Sequence, residues 1–233
     1  MGIMDGFKAR KALMAHQKGK YDEAKKAYEE LYAANYISAA YLLPYSVLLL
    51  RQGGEENYLK VKEILKKAEK APDLDASRRQ ELLMDYAVAQ YKLGELDKAI
   101  NLLEASHRKG PCGYTYQTLG YLYIEAGDTE KALAFNQEAI DYDDEDAVCL
   151  DNMGQTYYRL LNDKEKAKEY FDKAIAVKDS QIDTLYFLAQ YDKEAGKKQD
   201  AIEKLEKALE GRFSPLNFAN KEKVKAELEE LKK

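Results

Sequence analysis

Two columns of small side chains, repeated at a near-constant interval, limit what this chain can fold into more than any other feature. Four stretches share one form, a Gly followed five residues later by Ala: Gly19 to Ala24, Gly94 to Ala99, Gly127 to Ala132 and Gly196 to Ala201. Val61 and Ala167 hold the same place after longer turns, so the series Ala24, Val61, Ala99, Ala132, Ala167, Ala201 advances in steps of 33 to 38 residues. A second column, Ala12, Ser46, Ala87, Gly120, Gly154 and Ala189, runs ahead of it, by twelve residues in the regular units. A period in this range marks stacked supersecondary units. The spacing predicts a helix, a turn and a second helix in each unit, because antiparallel helices approach to about 8–10 Å only where small side chains face each other.

The apolar pattern agrees with this reading. Leu83, Tyr86 and Tyr91, or Tyr116, Leu119 and Tyr123, form the buried stripe of a first helix; Ala132, Phe135 and Ala139, or Ala167, Phe171 and Ala174, do so for a second. Pro72, Pro111 and Pro215 fall between units, where a helix must stop. Pro44 falls inside the first helix of the second unit, where a missing N–H and a ring clash predict a kink or a late helix start. Beyond Pro215, Asn220 can cap a helix whose Val224, Leu228 and Leu231 form one stripe. Such a helix would cover the apolar face of the last unit.

The fourth unit, Tyr116-x2-Leu119-Gly120-x2-Tyr123 followed by Gly127, Ala132 and Ala139, resembles the tetratricopeptide repeat. The resemblance extends over residues 5–215, with departures: no Trp, Lys8 and Lys11 at usually apolar places, Asn136 where an aromatic is usual, and longer turns in units two and five. It implies an all-α, right-handed superhelical solenoid of about six helix–turn–helix units. The units are 5–38, 39–75, 80–112, 113–146, 147–181 and 182–215, an array over 1–216 closed by a capping helix at 217–233.

The resemblance also implies an inner wall lined by the first helix of each unit. The matching places hold Met84, Val88 and Tyr91; Tyr114, Gln117, Tyr121 and Ile124; Asp151, Gln155 and Tyr158; and Tyr186, Gln190 and Lys193, with Asn152, Arg159 and Phe187 beside them. Leu13, Leu43, Val47 and Leu50 make the first two units more aliphatic. A wall of Tyr, Gln and Asn suits an extended peptide, because amides can pair with a strand's free N–H and C=O groups while tyrosines supply area at low entropic cost. A share of these tyrosines is expected to pack between repeats. Family members that clamp a chaperone's terminal carboxylate use Lys, Arg and Asn, whereas the matching places here are Met84, Val88, Thr118, Val148 and Asn152, with no cation.

Other partners and chemistries find little support. Thirty-seven basic against 42 acidic residues give a net charge of −5, the wrong sign to attract a phosphate backbone, so no nucleic acid partner is expected. The longest uncharged stretch, 37–50, is too short for a membrane span and contains Pro44. Residues 1–14 lack the apolar core of a signal peptide, and Gly2 lacks the Ser or Thr at position 6 that myristoylation requires. Two cysteines, Cys112 and Cys149, make neither a disulfide framework nor a metal cluster, which fits a reducing cytoplasm. His16 and His107 have no ligand partners at metal spacing. The run 141–146 fails as a calcium loop, with Asp146 in place of the Gly and Asn152 in place of the closing Glu; its acids are expected at the positive end of the following helix. No catalytic residue, metal or cofactor is therefore expected. The expected function is a non-enzymatic scaffold binding a peptide or protein segment, and the alternative is a structural module forming homo-oligomers through its terminal faces.

Overall fold

The computed structural model describes residues 3–233, with side chains from Met4 onward; Gly2, weighed above as a lipid acceptor, lies outside them. Among the described residues thirteen α-helices follow one another: α1 (Ile3–Gln17), α2 (Tyr21–Ala33), α3 (Ala39–Gln52), α4 (Glu55–Ala68), α5 (Ala76–Lys92), α6 (Leu96–His107), α7 (Gly113–Glu125), α8 (Thr129–Tyr142), α9 (Ala147–Gln155), α10 (Lys164–Val177), α11 (Ile182–Glu194), α12 (Lys198–Glu210) and α13 (Lys221–Leu231). A π-helical turn, Thr156–Leu160, continues α9. The described residues contain no strand, and no helix among them is long and apolar enough to cross a membrane. The chain forms two compact units, Met1–Ser106 and His107–Lys233.

Both columns of small residues are buried. In the first unit Ala12, Ser46, Ala87, Ala24, Val61 and Ala99 are at most 1% exposed. In the second, Gly120, Gly154, Ala189, Ala132, Ala167 and Ala201 are all buried. The columns do what their spacing demands. A β-carbon on Gly120 would run into the Asn136 side chain on α8, and one on Gly154 would lie 2.6 Å from the Phe171 ring. Asn136 fits where an aromatic would not, lying flat against Gly120 with its amide 3.4 Å from the Gly120 carbonyl and 3.2 Å from Thr156 Oγ1.

The turns explain the recurring glycine. Gly94 and Gly127 adopt φ of +77° and +70°, a left-handed conformation that lets the next amide reach back across the helix end. Glu95 N–H donates to Gln90 O at 2.9 Å, and Asp128 N–H to Tyr123 O at 3.3 Å. In the fifth repeat, whose turn has no Gly, Asn162 takes this conformation at φ +52°.

Pro44 does not delay its helix, which corrects one of the two expectations for it. α3 begins at Ala39, five residues earlier, because Asp73 caps it from the far end of the repeat. Its carboxylate accepts from Ala39 N–H (2.8 Å), Ala40 N–H (3.1 Å) and the Ser38 hydroxyl (2.8 Å). These charge-assisted bonds at the positive helix end offset the hydrogen bond that Pro44 cannot make.

In the second unit, the core runs from Ala167 and Phe171 through Ile182–Ala189 and Leu205 to Ala219, Val224 and Leu228. Asn220 caps α13 by accepting from Lys223 N–H at 2.8 Å. Val224 and Leu228 thereby cover apolar surface that the sixth helix pair would otherwise leave to water.

Candidate functional site

The first helices of three successive repeats, α7, α9 and α11, lie side by side in the second unit, tied by polar side chains. Asn152 Nδ2 on α9 donates to Gln117 O on α7 at 2.9 Å, and Thr184 Oγ1 on α11 donates to Asp151 Oδ1 at 2.5 Å. Gln117 Nε2 in turn donates to Asp146 at 2.6 Å. Asp146 is the acid of the run 141–146 that caps α9, accepting from Val148 N–H (2.8 Å) and Cys149 N–H (3.1 Å), as its place before the helix led one to expect.

A cavity of about 440 Å³ opens where the N-terminal halves of these helices meet the loop 211–217. Its size is that of a small-ligand or side-chain pocket. Gln117, Thr118 and Tyr121 contribute from α7, Val148, Asp151 and Asn152 from α9, and Gln181 and Asp183 from the start of α11. Lys178, Ser180, Arg212, Ser214 and Asn217 form its loop side.

Two acids of the cavity are already engaged. Asp151 accepts from Thr184 and from Gln155 Nε2 (2.8 Å). Asp183 accepts from Asn217 Nδ2, Phe218 N–H and Ala219 N–H, each at 3.0 Å, and so straps the loop to α11. Burial pushes both carboxyls above the usual carboxylate range, and for Asp151 the neighbouring Asp183 adds to it.

The amides and hydroxyl of the wall are less committed. Thr118, Asn152 and Gln181 are 4%, 2% and 7% exposed. Yet the Thr118 hydroxyl and the Gln181 amide make no side-chain hydrogen bond among the described residues, and Asn152 makes only the bond from its Nδ2. All three line the cavity, where their uncommitted polar atoms meet solvent.

At the far end of the wall the π-helical turn directs Arg159 across the helices. Its guanidinium donates to Glu125 (2.7 Å) and to Gln155 Oε1 (3.0 Å) and lies 4.2 Å from the centroid of Phe218. Lys223 Nζ approaches the same ring at 3.7 Å and Tyr186 at 5.0 Å. Burial and the nearby Arg159 pull the Lys223 ammonium below the usual lysine range. Burial raises the Tyr186 phenol to about 12. Lys193 pairs with Glu227 at this end, joining α11 to α13.

The twelve expected wall residues divide between the two units. Met84, Val88 and Tyr91 lie on α5 in the first, where Val88 is buried and the other two half-buried. In the second, Gln117, Tyr121 and Asn152 line the cavity, Tyr114 stands exposed beside it on α7, and Tyr158 and Gln190 are half-buried along the wall. Tyr186 is buried beneath Lys223. Ile124 and Gln155 are enclosed, a correction to their expected place on the surface. Ile124 is 1% exposed, and Gln155 is consumed between Asp151 and Arg159 with no accessible surface.

Sequence reasoning missed Lys178, Gln181 and Arg212. All three stand in or beside loops between repeats, outside the helical places that the repeat pattern numbers. The cysteines and histidines take structural places: burial raises the Cys149 thiol out of the nucleophilic range, and His107 packs edge-on to Tyr116 and Phe135.

The tetratricopeptide repeat profile matches residues 7–36, 114–146 and 148–181. Among solved structures, a tetratricopeptide repeat protein from Parabacteroides merdae aligns with a TM-score of 0.78 at 13% identity, covering 98% of this chain and 84% of that one. A thermophilic repeat protein from Thermus thermophilus aligns at 0.55 and 18% identity, covering 97% and 98%. The repeat protein YrrB aligns at 0.51 and 19% identity, covering 76% and 88%. No curated protein sequence matches the chain. With small-residue columns buried between paired helices and three stretches matched by the family model, the chain carries tetratricopeptide repeats.

Proposed function

We propose that the protein is a non-enzymatic protein–protein interaction scaffold, and that its second unit holds an extended peptide segment along α7, α9 and α11. One observation carries the reading: Thr118, Asn152 and Gln181 present uncommitted hydrogen-bonding groups from a largely buried wall into a cavity of about 440 Å³. A side-chain amide offers both a donor and an acceptor, which is what a peptide unit requires, and Tyr121 and Val148 supply apolar area beside it. YrrB, described as a repeat protein with an unusual peptide-binding site, shares the fold. The net charge of −5 speaks against nucleic acid, whereas the buried acid pair Asp151 and Asp183 in the cavity is the one feature that an acid–base reading would use.

The test is capture of partners from the native host by the wild-type chain and by Gln181→Met. That change removes the amide while nearly preserving volume, and the Gln181 side chain makes no cap bond to α11. Loss of a specifically captured partner with an unaltered thermal melt supports the reading; identical capture by both proteins overturns it.

A second reading, self-association, is favoured by α1. Met4, Phe7 and Met14 are 73%, 72% and 54% exposed and share one helical stripe. A mass that stays monomeric at high concentration in light scattering removes that reading.

A further inference from the structure

The first repeat presents to solvent a face that a later repeat buries. Phe7 stands five residues before Ala12 of the small-residue column, Lys8 four before, Lys11 one before and Met14 two after. In the fifth repeat Cys149, Leu150, Met153 and Thr156 hold the same places relative to Gly154. Those four are at most 3% exposed, and Cys149 packs with Tyr116 and Ala139 of the repeat before it. Phe7 and Met14, by contrast, are 72% and 54% exposed, with Lys8 and Lys11 exposed beside them. Large apolar side chains at stacking positions, with no described residue stacked on them, mark an interface.

Charge says what the face fits. Between α1 and α2 runs a groove of about 220 Å³ whose floor includes Ala15 and Ala27. Lys8 and Lys11 form its α1 edge, and Glu23 and Glu30 its α2 edge. The whole helices share this asymmetry: on α1, Asp5 against Lys8, Arg10 and Lys11 leaves +2, and on α2, Asp22, Glu23, Glu29 and Glu30 against Lys25 and Lys26 leave −2. Glu23 is paired with Lys20 at 3.4 Å, but that bridge is exposed and contributes little. A basic row beside an acidic row is complementary to itself. A two-fold axis parallel to the helices sets each basic row on the other copy's acidic row. An axis across the helices instead lays α1 on α1, with Lys8, Arg10 and Lys11 of one copy against those of the other.

We propose that a second copy of this chain covers this face about a two-fold axis parallel to α1 and α2, so that α1 of each copy lies along α2 of the other. Lys8 and Lys11 of each copy then meet Glu23 and Glu30 of the other, and Phe7 and Met14 of both leave water. This rests on the self-association reading and deepens it by naming the face and the symmetry. The assembly closes at two chains, because each copy spends the same face on the other.

Sedimentation equilibrium of the full chain at several concentrations tests this, with the variants Lys8→Glu/Lys11→Glu and Glu23→Lys/Glu30→Lys. All four positions are exposed, so each variant should melt as wild type does. Wild type should approach twice the chain mass and go no higher. Each variant alone sets like charges face to face and should associate about tenfold more weakly or worse. An equimolar mixture of the two should recover the dimer, because one copy then carries two acidic rows and the other two basic ones. Phe7→Ser should weaken association as well. Variants that dimerise as readily alone as mixed overturn the face and its symmetry but leave self-association standing. A mass that grows past two chains belongs to a head-to-tail array and overturns the closed dimer. A wild-type chain that stays monomeric throughout overturns the proposal together with the self-association reading, and leaves the face to a different protein.

Discussion

Ser46 on α3 and Asp85 on α5 form a buried pair in which one hydroxyl proton faces two acceptors. Ser46 Oγ lies 2.6 Å from Asp85 Oδ2 and 2.7 Å from Leu43 O. A hydroxyl has one proton to give. Both distances are satisfied if Asp85 is protonated and donates to Ser46 Oγ, which then donates to the Leu43 carbonyl. Burial agrees, pushing the Asp85 carboxyl up from 3.8 to about 7 against the opposing pull of Ser46.

This pair makes stability depend on pH with a definite sign. The folded chain keeps the Asp85 proton to higher pH than the unfolded chain does. The group therefore stabilises fully below its unfolded value of 3.8, and the contribution is lost as pH rises through about 7. Urea unfolding at about pH 5 and about pH 8 should show a decline that Asp85→Asn reduces by on the order of 3 kcal/mol. Equal pH slopes in the two proteins would mean that Asp85 is ionised in the fold.

Gly120 tests the packing of the columns. Gly120→Leu should cost about 1–3 kcal/mol or more, because its side chain must displace Asn136 between α7 and α8. Gly120→Ala meets the same side chain through its β-carbon alone. Combining it with Asn136→Ala should recover part of the loss, and strict additivity in that double-mutant cycle would place the clash elsewhere.

A turn glycine should behave differently. Gly94 has nothing within 4 Å of where a β-carbon would stand, yet its φ is +77°. Gly94→Ala is expected to cost about 1 kcal/mol through backbone conformation alone. A thermal melt of the variant that matches wild type would show that the turn can relax to negative φ.

Asp183 should matter more for the C-terminal strap than for the rest of the unit. Asp183→Ala removes the acceptor of the Phe218 and Ala219 amides. Leaving buried donors unpaired should cost about 2 kcal/mol or more. Hydrogen exchange should accelerate first at those two amides and along α13, whereas uniform acceleration across the unit would argue against a local strap.

Much of this architecture was legible in the residues. The columns Ala12 to Ala189 and Ala24 to Ala201 identified the faces where helices meet, and Asn220 and Asp146 identified helix starts, because caps and helical faces depend on neighbours within a few turns of chain. Pro44 was harder: it argued against an early start of α3, but Asp73, more than thirty residues away, supplies the cap. The candidate site was legible only in part. Gln117, Tyr121 and Asn152 line the cavity, whereas Ile124 and Gln155, at equivalent helical places, are enclosed.

By itself the sequence determined the helical repeat, the turn positions and which side of each helix packs against its partner, since periodicity encodes a residue's angle about its own axis. Only the tertiary structure decided which wall residues a ligand could reach and that Lys178, Gln181 and Arg212 share one cavity with α7. A residue's angle on its helix says nothing of what lies above it. That depends on loops between repeats, which the packing of the small-residue columns leaves free to vary.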